Sequence, residues 1–559
     1  MRLTRSELAQ AIFYCRDSFK AAAIFSFFIN MLMLFPSIYM MQVYDRVLGS
    51  SSTSTLLMLT LLAMLLFSTL GALEWIRSQI LIRVSAQFDL LLNERLYQVL
   101  FRQAVVSSGK SSAQPLSDLL VLRQFLTGNG LFAFFDAPWM PIYVLLLFLF
   151  NFWFGVVAIF SAIVLILLAI WNEKATHDDL EQANQVSVEN TNSTARNLRN
   201  AEVVHALGML PAMMARWKVK QKKLIILQAM ASEKGGLISA LSRTYRVMIQ
   251  SLILGLAAWL AINKEISPGV MIGGSILLGR ALAPIDVMIG TWKQFLTART
   301  AYHRLNTLLA AFPVEPEKMP LPAPTGVLRA EQASVIPPNS KIPVLKNISF
   351  ALQAGTVVAL VGASASGKSS LARAILGIWP VASGAIRLDG ADMSQADHTL
   401  IGPYIGYLPQ DIELFDGTIA ENIARFGDVD ANHVVEAAMM AGVHDMILRL
   451  PKGYDTEIGV AGGVLSAGQR QRIGLARALY GEPVLVVLDE PNSNLDDVGE
   501  QALAQALLKL KQRKCTIIVI THRLGVLGIV DRIMVLNEGT LVLDGARDEV
   551  LAKLNQRPA

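Results

Sequence analysis

Gly362-Ala363-Ser364-Ala365-Ser366-Gly367-Lys368-Ser369 has the residue types and spacing of a phosphate cradle. Two glycines let the backbone curl so that the N–H groups of the loop point at phosphate oxygens. A helix opening at its end, with Ser370 in its first turn, would add positive potential to the same place. Lys368 is expected to reach the β- and γ-phosphates of a nucleoside triphosphate, and Ser369 to ligate Mg2+.

A second stretch, "PVLVVLDEP", ends at Pro491. Four apolar residues, Leu485–Leu488, predict a buried parallel strand that delivers Asp489 and Glu490 to its C-terminal edge, where ligands bind in such sheets. Asp489 fits a Mg2+ carboxylate. Glu490 fits the base, or positioning group, for an attacking water.

These residues need elements to hold them. "TVVALVGASASGKSSLARAIL" reads as strand, loop and helix, and short Val/Ile/Leu runs alternate with helical patterns after about residue 327. The second half is therefore expected to be an α/β phosphate-loop ATPase domain, residues 327–559. Residues 313–326, "PVEPEKMPLPAPTG", carry five prolines and predict a linker rather than a packed element.

The first half, residues 1–312, differs. The 559-residue chain is 53% hydrophobic and 17% charged, where a soluble domain has about 25% charged residues. Six runs are long and apolar enough to span a bilayer: Ala21–Met41, Thr55–Trp75, Phe132–Phe150, Phe154–Trp171, Arg246–Ile262 and Pro268–Gly290. Spans three and four, and five and six, are joined by tight hairpins. The connections Arg77–Leu131 and Asn172–Tyr245 are long, polar and helical in pattern, so spans two to five are expected to continue as helices into the cytoplasm.

The net charge of +5 could signal nucleic acid, but its distribution says otherwise. Residues 1–20 carry four Lys/Arg, the connection 77–131 six and the connection 172–245 ten, against Arg46, none and Lys264 in the others. That asymmetry places both termini and both long connections in the cytoplasm and leaves no call for a nucleic-acid partner. The N-terminal segment lacks a small-residue cleavage site after its apolar run, so the run is expected to stay as an anchor. Cys15 and Cys515 lie in no metal-binding or disulfide pattern.

Between the two chemical motifs lies "LSAGQRQRIGLARAL", and here the sequence resembles the ATP-binding-cassette (ABC) family. The family's motifs appear in order: the phosphate loop, Gln410 in "YLPQD", "LSAGQ", "VVLDE", "NSNLD" ending at Asp496, and His522 in "VITHR". The resemblance implies that Gln410 senses the γ-phosphate and Mg2+. It implies that Ser466, Gly468 and Gln469 close over nucleotide held by another subunit. Asp496 would lie at the subunit contact, and His522 would touch the γ-phosphate. One cassette per chain then implies a homodimer with two equivalent ATP sites. Two departures stand out: Ala467 replaces the usual glycine of the signature, and "EQASVIPPNSKIPVL" has no aromatic for the adenine, leaving Ile336 or Pro337 as apolar packing.

Six spans ahead of a cassette resemble the exporter architecture of the family, and its importers usually keep the two on separate chains. Tips of the cytoplasmic connections near Gln114–Phe125 and Ala201–Leu210 would dock on the cassettes. Arg280 sits about 12 residues into span six, near mid-bilayer, with Pro284 just after it. Arg280 and Asp286 either line the translocation path or form a structural pair.

"QVYDRVL", "FFDAPWMPIYVLLLFLFNFWFG", "VVHALGML", "GRALAPID" and "DEPNSNLD" together resemble one branch, the type I protein-secretion exporters of metalloproteases and haem-binding proteins. That branch implies a bacterial inner-membrane location, a periplasmic adaptor, an outer-membrane channel and a protein substrate with a C-terminal secretion signal. Tyr44-Asp45-Arg46 would form a polar lip at the periplasmic exit; an interfacial tyrosine with a helix-capping serine accounts for the same residues. A lipid or small-amphiphile exporter is the alternative on this scaffold, and a nucleotide-gated regulator a third class that Glu490 and His522 argue against.

Overall fold

A computed structural model describes residues 6–107, 112–315, 321–338, 340–459, 465–493, 495, 497–521 and 524–555. The chain forms two compact units, one of Met1–Gln103 and Ser111–Pro313, the other of Ala104–Lys110 and Val314–Ala559.

Among the described residues the first unit has six helices long and apolar enough to cross a membrane: Arg16–Ser50, Thr53–Val106, Gly130–Phe150, Phe152–Arg199, Leu210–Ile262 and Pro268–Ala311. Each contains one of the expected spans. Their outward faces carry Leu, Ile, Phe and Met in quantity, such as Leu57, Met58, Leu61 and Leu65. Such a surface suits lipid rather than water. Small residues let the sixth span approach its neighbours: a Cβ on Gly273 would sit 3.1 Å from Ser37 Oγ, whose hydroxyl already donates to the Gly273 carbonyl at 2.5 Å. Asn151 closes the hairpin between spans three and four by accepting the Trp153 N–H at 2.9 Å.

Two expectations need correction. The third span does not continue as one helix into the cytoplasm. Its path breaks at Gly128, which is extended (φ −85°, ψ 165°), and again in a 3-10 turn at Ala137–Trp139, before Met140–Phe150. Pro138 and Pro141 lack the amide hydrogens a continuous helix would use. Gln114–Phe125 is likewise no hairpin tip. It belongs to a helix, Gln114–Thr127, that packs on the sixth span's extension. Arg304 donates to the buried Asp118 there at 2.6 and 2.8 Å. The second expected tip is a turn: a short helix Ala201–Ala206 and Gly208, at φ +63°, reverse the chain between two long helices.

The second unit is α/β. In chain order its strands are β1 (Leu328–Val335), β2 (Leu345–Leu352), β3 (Val357–Val361), β4 (Val381–Leu388), β5 (Ala391–Asp392), β6 (Ile405–Leu408), β7 (Gly417–Thr418), β8 (Glu457–Ile458), β9 (Leu485–Asp489), β10 (Thr516–Ile520), β11 (Arg532–Asn537) and β12 (Thr540–Ala546). A six-stranded sheet runs in the order β12-β11-β3-β10-β9-β6, parallel except for β12. An antiparallel sheet, β2-β1-β4-β5, lies beside it. β3, β9 and β10 are apolar and buried on both faces, as a parallel strand between two layers must be.

Candidate functional site

Strand register sets the site. Ile520 of β10 pairs with Leu360 of β3 on one side and Asp489 of β9 on the other, so three strands end at one level. The phosphate loop leaves β3 two residues further on. β6 runs in register with β9 through Leu408 and Leu488, which puts Gln410 level with Glu490. Their side chains meet, Gln410 Nε2 donating to Glu490 Oε2 at 3.4 Å.

The loop itself is curled as the glycines require. Gly367 takes φ +104° and Ala365 φ +64°. A Cβ on Gly362 would strike the Leu536 carbonyl and come within 2.8 Å of Ser366 Oγ. The helix Lys368–Ile375 starts at once. Ala363, Ser364 and Ala365 form the exposed rim of the loop, and Ser369 and Ser370 the half-buried first turn. Lys368 is buried, with Nζ donating to the carbonyls of Gly362 and Ala363 at 2.8 and 2.9 Å. Burial lowers its pKa, opposed by the charges of Glu490 and Asp489.

Do these residues fit a Mg-nucleotide? Ser366 Oγ is buried without a hydrogen-bond partner, an oxygen poised in the loop where a phosphate would come. Asp489 is 4% exposed. Burial pushes its carboxyl above the usual range; the Ser369 hydroxyl pulls the other way by hydrogen bonding to it, Glu490 adds to the rise, and Arg373 and Lys368 oppose it. A buried carboxylate touching a serine hydroxyl is a hard-oxygen pair suited to Mg2+. The residues present therefore fit the group.

Glu490 is a strained residue, at φ +51°, held by its N–H donating to the Ile520 carbonyl at 3.0 Å. The turn after it is pinned by Gln471, whose Nε2 donates to the Pro491 carbonyl at 2.5 Å and the Glu490 carbonyl at 3.3 Å. Sequence reading passed over Gln471. Its signal was its place one helical turn after Gly468 on the helix Ala467–Leu479. Arg373, which stacks on Trp379 and biases Asp489, was missed too.

The signature segment is a helix start. Ser466 accepts the Gln469 N–H at 3.3 Å and its own N–H donates to Gln469 Oε1 at 2.8 Å, a capping box. Ala467 is exposed. Ser466, Ala467 and Gly468 make no hydrogen bond to the phosphate loop among the described residues. Asp496 and His522 lie outside the described residues. Val344 and Leu345 lie against Gly367, with Ile336 and Pro337 half-buried nearby in sequence.

In the first unit, Arg280 and Asp286 do not pair. Asp286 accepts from Ser242 at 2.9 Å and lies 3.0 Å from Arg246 Nε, both on the fifth span. Asp45 of "QVYDRVL" sits in a widened π turn, Val43–Val47. Its carboxylate takes the Ser267 hydroxyl at 2.5 Å and the Gly269 N–H at 2.8 Å, at the start of the sixth span. Ser52 accepts the Thr55 N–H at 3.3 Å, the capping serine.

Known proteins resemble this chain in sequence and in fold. Residues 345–493 match the ABC transporter family and residues 20–281 the ABC transporter transmembrane region. The chain is 43% identical over 548 residues to the type I secretion system ATP-binding protein PrsD of Rhizobium meliloti, covering 98% of this chain and 94% of that one. It is 28% identical to the leukotoxin translocation ATP-binding protein LktB of Mannheimia haemolytica, covering 98% of this chain and 78% of LktB. It is 27% identical to the cyclolysin secretion/processing ATP-binding protein CyaB of Bordetella pertussis, covering 94% and 75%. In fold it resembles a bacterial Atm1-family ABC exporter with ATP bound, with a TM-score of 0.83, 21% identity and 96% of each chain covered.

Proposed function

Since the chain belongs to the ABC transporter family, we propose that it is an ATP-driven exporter of unfolded protein substrates in a type I secretion system. The observation that carries this reading is one chain that joins six membrane-spanning helices to a phosphate loop with Asp489 and Glu490 in register, and that resembles PrsD from end to end.

The loop N–H groups and Lys368 bind and orient the triphosphate. Mg2+, held by Ser369 and Asp489, would neutralise charge on the β- and γ-phosphates. Glu490, aligned by Gln410, positions the attacking water and takes its proton as the bond between the γ-phosphorus and the bridging oxygen breaks. ADP and phosphate then leave. His522 would contact the γ-phosphate and Asp496 the subunit boundary. Ser466, Gly468 and Gln469 lie at an exposed helix start, open to the nucleotide of a second copy of the chain. An apolar groove of about 350 Å3 lies at the turn between spans four and five, lined by Val204, Leu210, Met213, Met214 and Trp217; such a surface suits an apolar partner.

The protein would sit in the bacterial inner membrane, its termini and ATPase unit in the cytoplasm, in contact with lipid. A periplasmic adaptor and an outer-membrane channel would complete the conduit for a protein with a C-terminal signal. The test is the ATPase rate of lipid-reconstituted protein, titrated with C-terminal segments of an RTX-type metalloprotease or a haem-binding protein. A saturable change seen with those segments, and not with a scrambled segment or a lipid and drug panel, is expected. A response only to lipids or drugs would overturn the assignment of protein cargo.

A further inference from the structure

The helix Ala467–Leu479, which opens at the signature residues, buries the polar side chain of Gln471, 2% exposed. We propose that Gln471 is a positioning residue for ATP hydrolysis: through the backbone of the turn after β9 it fixes where the Glu490 carboxylate stands. The proposal rests on the reading of Glu490 as the group that positions the attacking water.

A buried side-chain amide must find hydrogen-bond partners. The Gln471 nitrogen finds them in a single turn. Nε2 donates to the Pro491 carbonyl at 2.5 Å, with the Glu490 carbonyl at 3.3 Å and Ser493 Oγ at 3.4 Å also in reach. That turn needs holding. Glu490 sits at φ +51°, a conformation that a residue with a Cβ keeps only where its neighbours over-determine it. Its N–H donates to the Ile520 carbonyl of β10 at 3.0 Å, and its carbonyl accepts the Ser493 N–H at 3.2 Å. Gln471 adds the tie between this turn and a separate helix. Without that tie the backbone at Glu490 can relax toward an ordinary φ. The relaxation would turn the Cα–Cβ bond and carry the carboxylate away from Gln410 Nε2, now 3.4 Å from it.

The helix that carries Gln471 is a firm support. Ile473, Leu475, Ala476 and Ala478 are buried in the core of the ATPase unit. Close packing of such a face leaves the helix little room to shift. Gly474 lets the same helix approach the strand and loop that carry Gln410: a Cβ there would lie 2.8 Å from Ile412 Cγ2 and 3.2 Å from Leu408 Cδ1. One helix therefore braces Glu490 twice, its backbone through Gln471 and its side-chain partner Gln410 through the contact at Gly474. Gln471 itself lies behind the catalytic carboxylate and touches the backbone rather than the carboxylate, so its effect on the reaction passes through Glu490.

The test uses full-length protein reconstituted in lipid. Hydrolysis is read at saturating Mg-ATP, and affinity separately with a fluorescent ATP analogue. Gln471→Met keeps the length of the side chain and removes the donor. Gln471→Glu exchanges only the amide NH2 for an oxygen and serves where the Met variant does not fold. Either should lower kcat about tenfold or more, the scale on which small misplacements of a reacting group are felt. Nucleotide affinity should stay as in wild type, the pattern for an interaction that matters only in the transition state. A double-mutant cycle separates positioning from general damage. Once Glu490→Gln has removed the carboxylate, adding the Gln471 substitution should slow single-turnover hydrolysis no further. An unchanged kcat, a loss of affinity in place of kcat, or losses that multiply in the double variant overturn the proposal. Glu490→Gln alone separates it from the reading beneath. Slow hydrolysis there with fast Gln471 variants removes only the proposal, whereas normal turnover in Glu490→Gln removes both. Cargo segments play no part in these assays, so the outcome is independent of what the protein exports.

Discussion

At the scale of single residues, the ATP site stores strain and unfavourable burial where chemistry is done. Glu490 occupies a left-handed backbone region that costs a non-glycine residue about 1–3 kcal/mol. Glu490→Gln keeps the backbone and the Gln410 contact while removing the proton acceptor. Nucleotide binding should persist, and steady-state hydrolysis should fall about 100-fold or more. Normal turnover in that variant would sink the role assigned to Glu490. Lys368→Ala should instead lose nucleotide affinity, which equilibrium binding of a fluorescent ATP analogue reads directly. Asp489 makes a third prediction. Burial raises its folded-state pKa above the unfolded value, so the proton stabilises the fold. At pH values above the folded pKa the ionised group is a net cost, which a bound cation would offset. Asp489→Asn should therefore raise the melting temperature of the nucleotide-free ATPase unit by about 2–4 °C at neutral pH, for each 1 kcal/mol relieved. It should also abolish Mg2+-dependent hydrolysis. A calorimetric scan in chelator, showing a lower melting temperature than wild type, would contradict this.

At the scale of elements, two contacts stand out because each ties the end of a helix to something distant in sequence. Arg425, at φ +59°, donates to five carbonyls: Arg477, Ala478 and Tyr480 at the C-terminal end of the signature helix, Gly402 just before β6 and Ile405 at its start. Burial lowers its pKa, helped by the nearby charge of Arg477, yet it stays the natural cation for a helix C-terminus. Arg425→Lys cannot reach five acceptors with one ammonium. It should destabilise the ATPase unit by about 1.5–3 kcal/mol in urea unfolding, the range for hydrogen bonds to a charged group. An unchanged midpoint would refute it. In the membrane unit, Asp45 caps the sixth span at Ser267 and Gly269. Its worth is about 1 kcal/mol. Asp45→Ala should loosen that end of spans one and six, read as faster amide exchange around Val270.

At the scale of the whole molecule, the proposed homodimer makes a quantitative claim. Each ATP site would take its phosphate loop from one chain and Ser466 and Gly468 from the other. If two such sites must both work for turnover, co-reconstituting wild type with Glu490→Gln should lower ATPase activity as the square of the wild-type fraction. A linear fall would mean that each site turns over alone. The exposed groove around Met213 and Trp217 belongs to the same scale. Trp217→Asp should leave nucleotide binding intact and reduce cargo-stimulated hydrolysis.

The sequence by itself determined the chemistry of the ATP site and the six spans, because both are local. A phosphate loop is eight consecutive residues between a strand and a helix, and a span is one long apolar run; neither needs a distant partner to be recognised. What the tertiary structure decided was pairing. No spacing rule links Gln410 to Glu490 across 80 positions; parallel register between β6 and β9 does. Asp286 looked like a partner for Arg280 on the same helix, but packing of the fifth span against the sixth gave it Ser242 and Arg246. Asp45 read from sequence as part of a polar lip; only the fold shows its carboxylate bound to the start of span six. Gln114–Phe125 read as a docking tip, while Asp118 within it is buried and paired with Arg304 from 186 residues away. Charges are cheap to place in sequence and costly to bury, so their meaning waits on which neighbour the fold supplies.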